Sequence, residues 1–130
     1  MKYLSDYMEE KQTKLFNETG TFFAFSDKQF KEQYTEEIKY VSLGSGMITP
    51  KKYANKVIET LYKIHKEAIL EDLEDNGIQG VIQRELENYE VYYTNDLDPV
   101  TEALKDYPEI TQKDIINIYQ RNYNKSTKEL

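Results

Sequence analysis

The chain has 130 residues, of which 38% are hydrophobic and 32% are charged, and its formal net charge is −7. This composition suits one folded domain rather than a disordered chain; no apolar run approaches the ~18 residues of a membrane span, and no signal peptide is expected. Because cysteine is absent, disulfides, thiol catalysis and cysteine-bound metals are excluded, which suits a reducing cytoplasm.

The first fifty residues predict two helices and a small antiparallel sheet. Apolar residues recur at helical spacing as far as Gly20, where we expect the first helix to end. Ser26 and Gln29 form a capping box, which begins a short helix with Phe30 directed inward. A Gly-Ser-Gly turn at residues 44–46 joins two strands, since glycine readily adopts the positive φ of tight turns. In chain order, the predicted elements are a helix over residues 3–18, a buried strand over 22–25, a helix over 27–34, and strands over 40–43 and 47–48.

The remainder of the chain predicts helices. The dipeptide Thr49-Pro50 supplies an N-cap and a first helical residue for a long helix, and Asn76-Gly77 ends that helix because glycine enters the left-handed region without strain. Asp98 is expected to cap a short helix, and Thr111 with Asp114 resembles a further capping box. The predicted helices cover residues 50–76, 78 to about 89, 98–104 and 111–123, and residues 124–130 are expected to form a frayed tail.

Together these elements predict an α+β fold. It is a helix-dominated single domain of about five to six helices with a small two- to three-stranded antiparallel sheet, compact over residues 1–123. Its core is expected on the apolar faces of the two longest helices, with Tyr62 on the same buried side, while Tyr92-Tyr93 is left open as helix or extended chain. The inward positions are Tyr53, Ala54, Val57, Ile58, Leu61, Ile64, Ala68, Ile69 and Leu73, followed by Ile78, Val81, Ile82, Leu86 and Tyr89.

The negative charge is concentrated in the middle of the chain. Residues 67–109 carry 13 acidic residues against Arg84 and Lys105, a net charge of −11, whereas residues 1–66 and 110–130 each carry +2. Such an acidic field repels the phosphates of nucleic acids and attracts basic protein surfaces. The segment is therefore expected to bind no nucleic acid directly, and it is either a solvated, solubilising face or the docking surface for a basic partner.

Tyrosines accompany the acids in this segment. Tyr89, Tyr92, Tyr93 and Tyr107 lie among carboxylates, and tyrosine offers a large contact area at a low entropic cost. Acidic and tyrosine side chains together would meet arginine and lysine through charge pairs and cation–π contacts. The residues predicted to bind the partner are Glu71, Glu74, Asp75, Glu87, Glu90, Tyr92, Tyr93, Asp96 and Asp98.

Three other features are typical of metal, anion or catalytic sites, but each lacks some of the residues that such a site requires. Residues 72–77 resemble the front of a calcium loop, but the twelfth position is the neutral Gln83. The turn at residues 44–52 offers glycines, a helix N-terminus and two lysines, so a small anion binder or an enzyme using this turn is the alternative function. His65, the only histidine, lacks an acid placed to orient it. We therefore expect no enzyme activity, no cofactor and no metal, and a self-assembling structural or regulatory module is the remaining alternative.

Three stretches of the sequence resemble stretches of a known group of proteins. They are Thr21-Phe22-Phe23-Ala24-Phe25-Ser26 with Gln29-Phe30, Lys39-Tyr40-Val41 with Leu43-Gly44-Ser45-Gly46, and Arg84-Glu85-Leu86-Glu87-Asn88 with Tyr92-Tyr93-Thr94. Across residues 18–107 the chain thus resembles a family of small uncharacterised proteins from phages and mobile elements of Bacteroidetes-like bacteria. The resemblance implies no activity and no functional residue. It implies a protein of the bacterial cytoplasm, and it favours an inhibitor that occludes the nucleic-acid-binding surface of a host defence protein.

Overall fold

The structure, a computed structural model, describes residues 2–128, with side chains as far as Tyr123. These residues form six α-helices and one three-stranded antiparallel sheet, which confirms the predicted helix-dominated α+β fold. In chain order the elements are α1 (Leu4–Thr19), β1 (Phe22–Phe23), α2 (Asp27–Gln33), β2 (Tyr40–Ser42), β3 (Met47–Pro50), a 3-10 helix (Lys51–Tyr53), α3 (Ala54–Asn88), α4 (Val91–Thr94), α5 (Asp98–Ala103) and α6 (Gln112–Lys128).

The chain divides into two compact units. The N-terminal unit is Leu4–Ala68, and the C-terminal unit is the chain from Ile69 onward together with the residues up to Tyr3. The single domain expected over residues 1–123 stays a prediction. Nearly all of the acidic segment belongs to the C-terminal unit, so this unit contains every residue predicted to bind a partner.

The sheet of the N-terminal unit has the strand order β1-β3-β2. Phe22 pairs with Ile48 and Val41 pairs with Thr49, in antiparallel register. The predicted turn between β2 and β3 is confirmed: its three residues, Gly44 to Gly46, all have positive φ angles. Glycine adopts such angles without a steric penalty, so the sequence of this turn is suited to its conformation.

The first predicted strand is shorter and more exposed than expected. β1 ends at Phe23, and the Phe25 side chain is 73% exposed. The Phe25 N–H donates to Gln29 Oε1 and so takes no part in strand pairing, and the Phe25 ring lies so close to Gly46 that a Cβ there would overlap it. An unbroken apolar run predicts a buried strand by composition alone, whereas this run lies at the edge of the sheet.

The prediction that Thr49-Pro50 begins the long helix is wrong. Both residues end β3, where Pro50 pairs with Tyr40, and the N–H of Lys51 continues the pairing by donating to the carbonyl oxygen of Lys39. Thr49 is fully buried, with its hydroxyl 3.0 Å from that of Thr21. Pairing with a distant strand therefore overrides the local N-cap pattern, and α3 begins only after the 3-10 helix.

The long helix α3 is interrupted where the sequence predicted a helix end. Gly77 has φ 69° and ψ 168°, so residues 54–76 and 78–88 are two helical segments across a kink. The core of the N-terminal unit includes Leu15, Val57 and Ile64. Ile58 and Tyr62 are exposed instead of buried, because the buried stripe is narrow and each of them follows a stripe residue onto the neighbouring face of the helix.

The C-terminal unit follows the predicted helix pattern with three differences. Tyr89 is exposed rather than inward, and Asp98 is the first residue of α5 rather than its N-cap. The capping box is confirmed, since Asp114 N–H donates to Thr111 Oγ1 and Thr111 N–H donates to Asp114 Oδ2. α6 continues to Lys128, beyond its predicted end, and residues 129–130 of the predicted tail lie outside the described residues. The buried apolar residues of this unit are Ile69, Val81, Ile82, Leu86, Val91, Val100, Leu104, Tyr107, Ile115 and Ile118.

Candidate partner-binding surface

The acids chosen from the sequence all point to solvent. All seven acidic residues are exposed, namely Glu71, Glu74, Asp75, Glu87, Glu90, Asp96 and Asp98. Among the described side chains, Glu87, Glu90 and Asp98 have no ion-pair partner. Their charge is therefore not neutralised within this part of the chain.

These residues form two groups along the chain, one on each side of the kink at Gly77. Glu71, Glu74 and Asp75 have i, i+3 and i+4 spacing in the first segment of α3, so they share one face of that helix. The second group starts at Glu87 and extends through α4 to the start of α5. Within each group the residues are close to one another in the sequence, and the kink at Gly77 lies between the two groups.

Tight turns hold the second group. Glu90 and Asn95, which flank α4, both adopt the left-handed conformation, with φ angles of 53° and 58°. The N–H of Asp96 donates to Thr94 Oγ1 at 3.2 Å, and the Asp96 carboxylate accepts from the N–H of Asp98 at 3.0 Å. The Asp96 carboxylate therefore binds the N–H of the first residue of α5, whereas no side chain caps that helix from the predicted N-cap position.

Three tyrosine rings, which we call the tyrosine stack, join α4 to α6. The rings of Tyr92 and Tyr119 are stacked with centroids 5.5 Å apart, and Tyr123 follows Tyr119 at 5.9 Å. Asn122 Nδ2 donates to the Tyr92 hydroxyl, and the Tyr119 hydroxyl donates to Asn95 Oδ1. Burial, assisted by the charge of Glu87, raises the pKa of Tyr92 despite the hydrogen bond from Asn122. The stack therefore packs α4 against α6.

Sequence reasoning missed the part of this arrangement that lies on α6. Tyr119 and Tyr123 stand outside the acidic segment, and only their i, i+4 spacing in the last helix signalled a shared aromatic face. By contrast, Tyr93, which was predicted to bind the partner, is 89% exposed next to the half-buried Tyr92. The two predicted tyrosines therefore differ: Tyr92 supports the fold, and Tyr93 faces solvent.

Two acids of the segment lie inside the protein in an ionic cluster that the sequence did not reveal. The carboxylate of Asp72, which is 0% exposed, accepts two hydrogen bonds from the guanidinium of Arg84, at 2.7 and 3.0 Å. It also accepts from Tyr107 at 2.6 Å and from Asn76 at 2.7 Å. Arg84 Nε donates to Glu85 at 2.8 Å, so this one arginine serves both buried acids.

Arg84 also ties down the start of the chain. Its Nη1 donates to the carbonyl oxygen of Lys2 at 3.0 Å, and its guanidinium lies 5.8 Å from the centre of the Tyr3 ring. A sequence signal existed, because Arg84 is the only base between residues 67 and 104. A lone arginine among so many acids marks the point where a buried acid would find its partner.

The electrostatics of the cluster favour the charged pair. Burial of Asp72 opposes its ionisation, but hydrogen bonds from Arg84, Tyr107 and Asn76 outweigh this effect and lower its pKa. For Arg84, hydrogen bonds to Asp72 and Glu85 likewise outweigh burial and raise its pKa. Burial and the hydrogen bond to Asp72 both raise the pKa of Tyr107. In the cluster, Asp72 and Arg84 are therefore charged and hydrogen-bonded to each other. The other eleven acidic residues of residues 67–109 are exposed, as is Lys105.

The cluster also bears on the calcium-loop pattern. Asp72 would be the first ligand of such a loop, but its carboxylate is enclosed and bound to Arg84. Across residues 2–128, no group of three or more histidine, aspartate or glutamate side chains is placed to hold a metal ion.

No helix in the described range is both long and apolar enough to cross a membrane.

The alternative anion site takes a different form from the predicted one. Thr49 is buried in β3 and so offers no exposed N-cap, while Lys51 and Lys52 lie on the 3-10 helix. They line a shallow depression of about 380 Å³ with Lys39, and its remaining wall is formed by Glu37, Ile38 and Pro50. His65, on the first segment of α3, is half-buried and lies outside this depression.

Comparison with known proteins identifies a family for this chain. The model of a family of unknown function, DUF7659, matches residues 4–126, which is nearly the whole chain. No curated protein and no solved structure matches. The family description states no source, so the resemblance to phage and mobile-element proteins stays a prediction.

Proposed function

Because the chain belongs to the DUF7659 family, whose function is unknown, we propose its function from its own surface: it is a non-enzymatic protein that binds a basic partner. The docking surface is the set of nine residues predicted from the sequence, which we call the acidic surface. The observation that carries this proposal is the sorting of charge in residues 67–109. In this segment Arg84 is buried in ion pairs with Asp72 and Glu85. The other eleven acidic residues are exposed, and Lys105 is the one exposed base of the segment.

The sorting matters because exposed charge sets long-range attraction. Clustered carboxylates raise the local concentration of a basic partner and speed its association. Exposed carboxylates could stand where the phosphates of a nucleic acid would sit, so a partner with a basic nucleic-acid groove would be occluded. We propose that the partner is such a protein, with a host defence nuclease of a phage-infected bacterium as the specific case.

The test compares two variants with the same change in net charge. One reverses Glu87, Glu90, Asp96 and Asp98 to lysine. The control reverses four exposed acids of the N-terminal unit to lysine, namely Glu9, Glu10, Glu36 and Glu59. Circular dichroism spectra would first establish that both variants keep the wild-type helical content.

Binding would be measured by calorimetry with a nona-lysine peptide at 50 and 300 mM NaCl. We expect wild-type affinity to fall with salt, the first variant to lose binding and the control to keep most of it. Equal loss in the two variants would mean that only overall charge matters, and the assigned surface would be wrong. Partners captured from a bacterial lysate by the wild type, but not by the first variant, would then be tested for release of bound DNA or RNA.

A second candidate function is supported by the depression beside the 3-10 helix. Lys39, Lys51 and Lys52 line this depression, so three ammonium groups stand there against one carboxylate, that of Glu37. We propose phosphate or a carboxylate as the ligand class. Titration with inorganic phosphate should shift the amide resonances of Lys51 and Lys52, and unchanged spectra at 20 mM phosphate would exclude this site.

A further inference from the structure

The tyrosine stack connects the acidic surface to α6, because Tyr92 belongs to that surface and the other two rings lie on α6. Its inner ring, Tyr92, is held by Asn122, and its outer ring, Tyr123, is 46% exposed. The hydroxyl groups of Tyr92 and Tyr119 already have hydrogen-bond partners. What the stack presents outward is therefore an aromatic face rather than a free polar group.

Carboxylates precede and follow the stack's α4 ring along the chain. Glu87 and Glu90 come before Tyr92, and Asp96 and Asp98 follow it, all of them exposed. Glu87 is close enough for its charge to contribute to the raised pKa of Tyr92, which places carboxylate and ring in one electrostatic environment. Flat aromatic faces near the carboxylates of Glu87, Glu90 and Asp98, which have no ion-pair partner among the described side chains, complement a flat cation.

Arginine and lysine differ in how they meet such a surface. The guanidinium of arginine is planar and weakly hydrated, so it stacks on an aromatic ring while donating a pair of hydrogen bonds to a carboxylate. The ammonium of lysine is strongly hydrated and acts as a point charge.

We propose that the tyrosine stack, with the adjacent exposed Tyr93, recognises arginine, so that the partner presents an arginine-rich surface to α4 and α6. This inference rests on the proposed function and adds the chemistry of the partner. The stack supplies the aromatic faces, and the carboxylates of Glu87, Glu90 and Asp98 supply the acceptors.

The test measures binding of nona-arginine and nona-lysine peptides to the full chain at 150 mM NaCl. Wild type should bind nona-arginine about five- to tenfold more tightly than nona-lysine, since each exposed cation–π contact adds about two- to fivefold. Tyr123→Leu and Tyr93→Leu should each reduce this preference and leave nona-lysine binding unchanged. Tyr62→Leu is the matched control, because Tyr62 is 64% exposed in the N-terminal unit and already has the Lys66 ammonium 5.1 Å from its ring centre.

The outcomes separate this inference from the proposed function. If both peptides bind equally to wild type, arginine recognition is wrong and the acidic surface still stands. If neither peptide binds, the proposed function fails as well. A preference that survives both substitutions at Tyr123 and Tyr93, or that Tyr62→Leu also removes, would overturn the assignment to the stack. If Tyr123→Leu lowers the melting temperature, Tyr123→Phe replaces it, because it keeps the ring: it should keep the preference, and its loss would overturn the assignment. Tyr93→Leu tests the adjacent ring, since the Tyr93 side chain is 89% exposed.

Discussion

Replacing Arg84 by methionine tests whether the ionic cluster holds the C-terminal unit together. Methionine keeps an unbranched apolar stem like that of arginine but removes the guanidinium and its five donors. The carboxylate of Asp72, which no solvent reaches, would lose its counter-charge and two of its four hydrogen bonds, and Glu85 would lose its 2.8 Å partner. Leaving a buried charge uncompensated in this way costs about 3–5 kcal/mol of folding free energy.

Urea denaturation, followed by circular dichroism at 222 nm and pH 7, measures this cost. At about 2 kcal/mol per molar urea, a loss of this size lowers the unfolding midpoint by roughly 1.5–2.5 M. Lys105→Met is the matched control. Its ammonium lies 2.6 Å from Glu102, as close as the buried pair, but both side chains are exposed. Exposed pairs are screened by water and contribute little, so this variant should keep the wild-type midpoint.

A shift for Arg84→Met no larger than that for Lys105→Met would refute the reasoning, because burial would then not decide the value of an ion pair. The double variant Asp72→Leu, Arg84→Met sharpens the test. If the cost arises from the unpaired carboxylate, removing that carboxylate should recover part of the lost stability. A double variant less stable than Arg84→Met alone would instead assign the loss to packing.

Three further predictions concern single positions. The folded-state pKa of Asp72 lies below its ordinary value of 3.8, so its ionised form stabilises the fold above that pH. This contribution to stability is lost as the pH falls below 3.8. In melting temperatures recorded from pH 2 to 6, Asp72→Asn should therefore make the decrease at acidic pH smaller than in the wild type. Gly77→Ala should cost about 1–3 kcal/mol in urea denaturation, since φ 69° with ψ 168° is a conformation for glycine alone; an unchanged midpoint would show that the kink is not required. Thr111→Ala should cost about 1 kcal/mol by removing the cap of α6, whereas Thr111→Ser should cost much less; equal losses would argue against capping.

Features that depend on neighbouring residues were predictable from the sequence. The capping box of Thr111 and Asp114, the Gly-Ser-Gly turn and the helix break at Gly77 each involve groups within a few residues of one another. Their geometry follows from backbone sterics and short-range hydrogen bonds, which the local residue types determine. The acidic segment was equally predictable, because the net charge of a segment follows directly from the residues it contains.

Features that depend on distant residues were not predictable. Thr49 carries a convincing N-cap pattern, yet its hydroxyl meets that of Thr21, 28 positions away, within a sheet. The Phe22–Phe25 run looked buried because composition cannot show that β1 lies at the edge of the sheet. The α6 half of the tyrosine stack was missed for the same reason, since Tyr119 meets Tyr92 only through folding.

The sequence by itself determined that this protein has an α+β fold with one strongly acidic segment, and it located that segment to within a few residues. Only the tertiary structure decided which acids are at the surface. Asp72 and Tyr107 are 35 positions apart, and Asp72 and Arg84 are 12 apart, so no local pattern pairs them. Burial is a property of the packed chain. A carboxylate that finds an arginine inside the fold becomes part of the framework, and one that does not remains in water, where its charge is available to a partner.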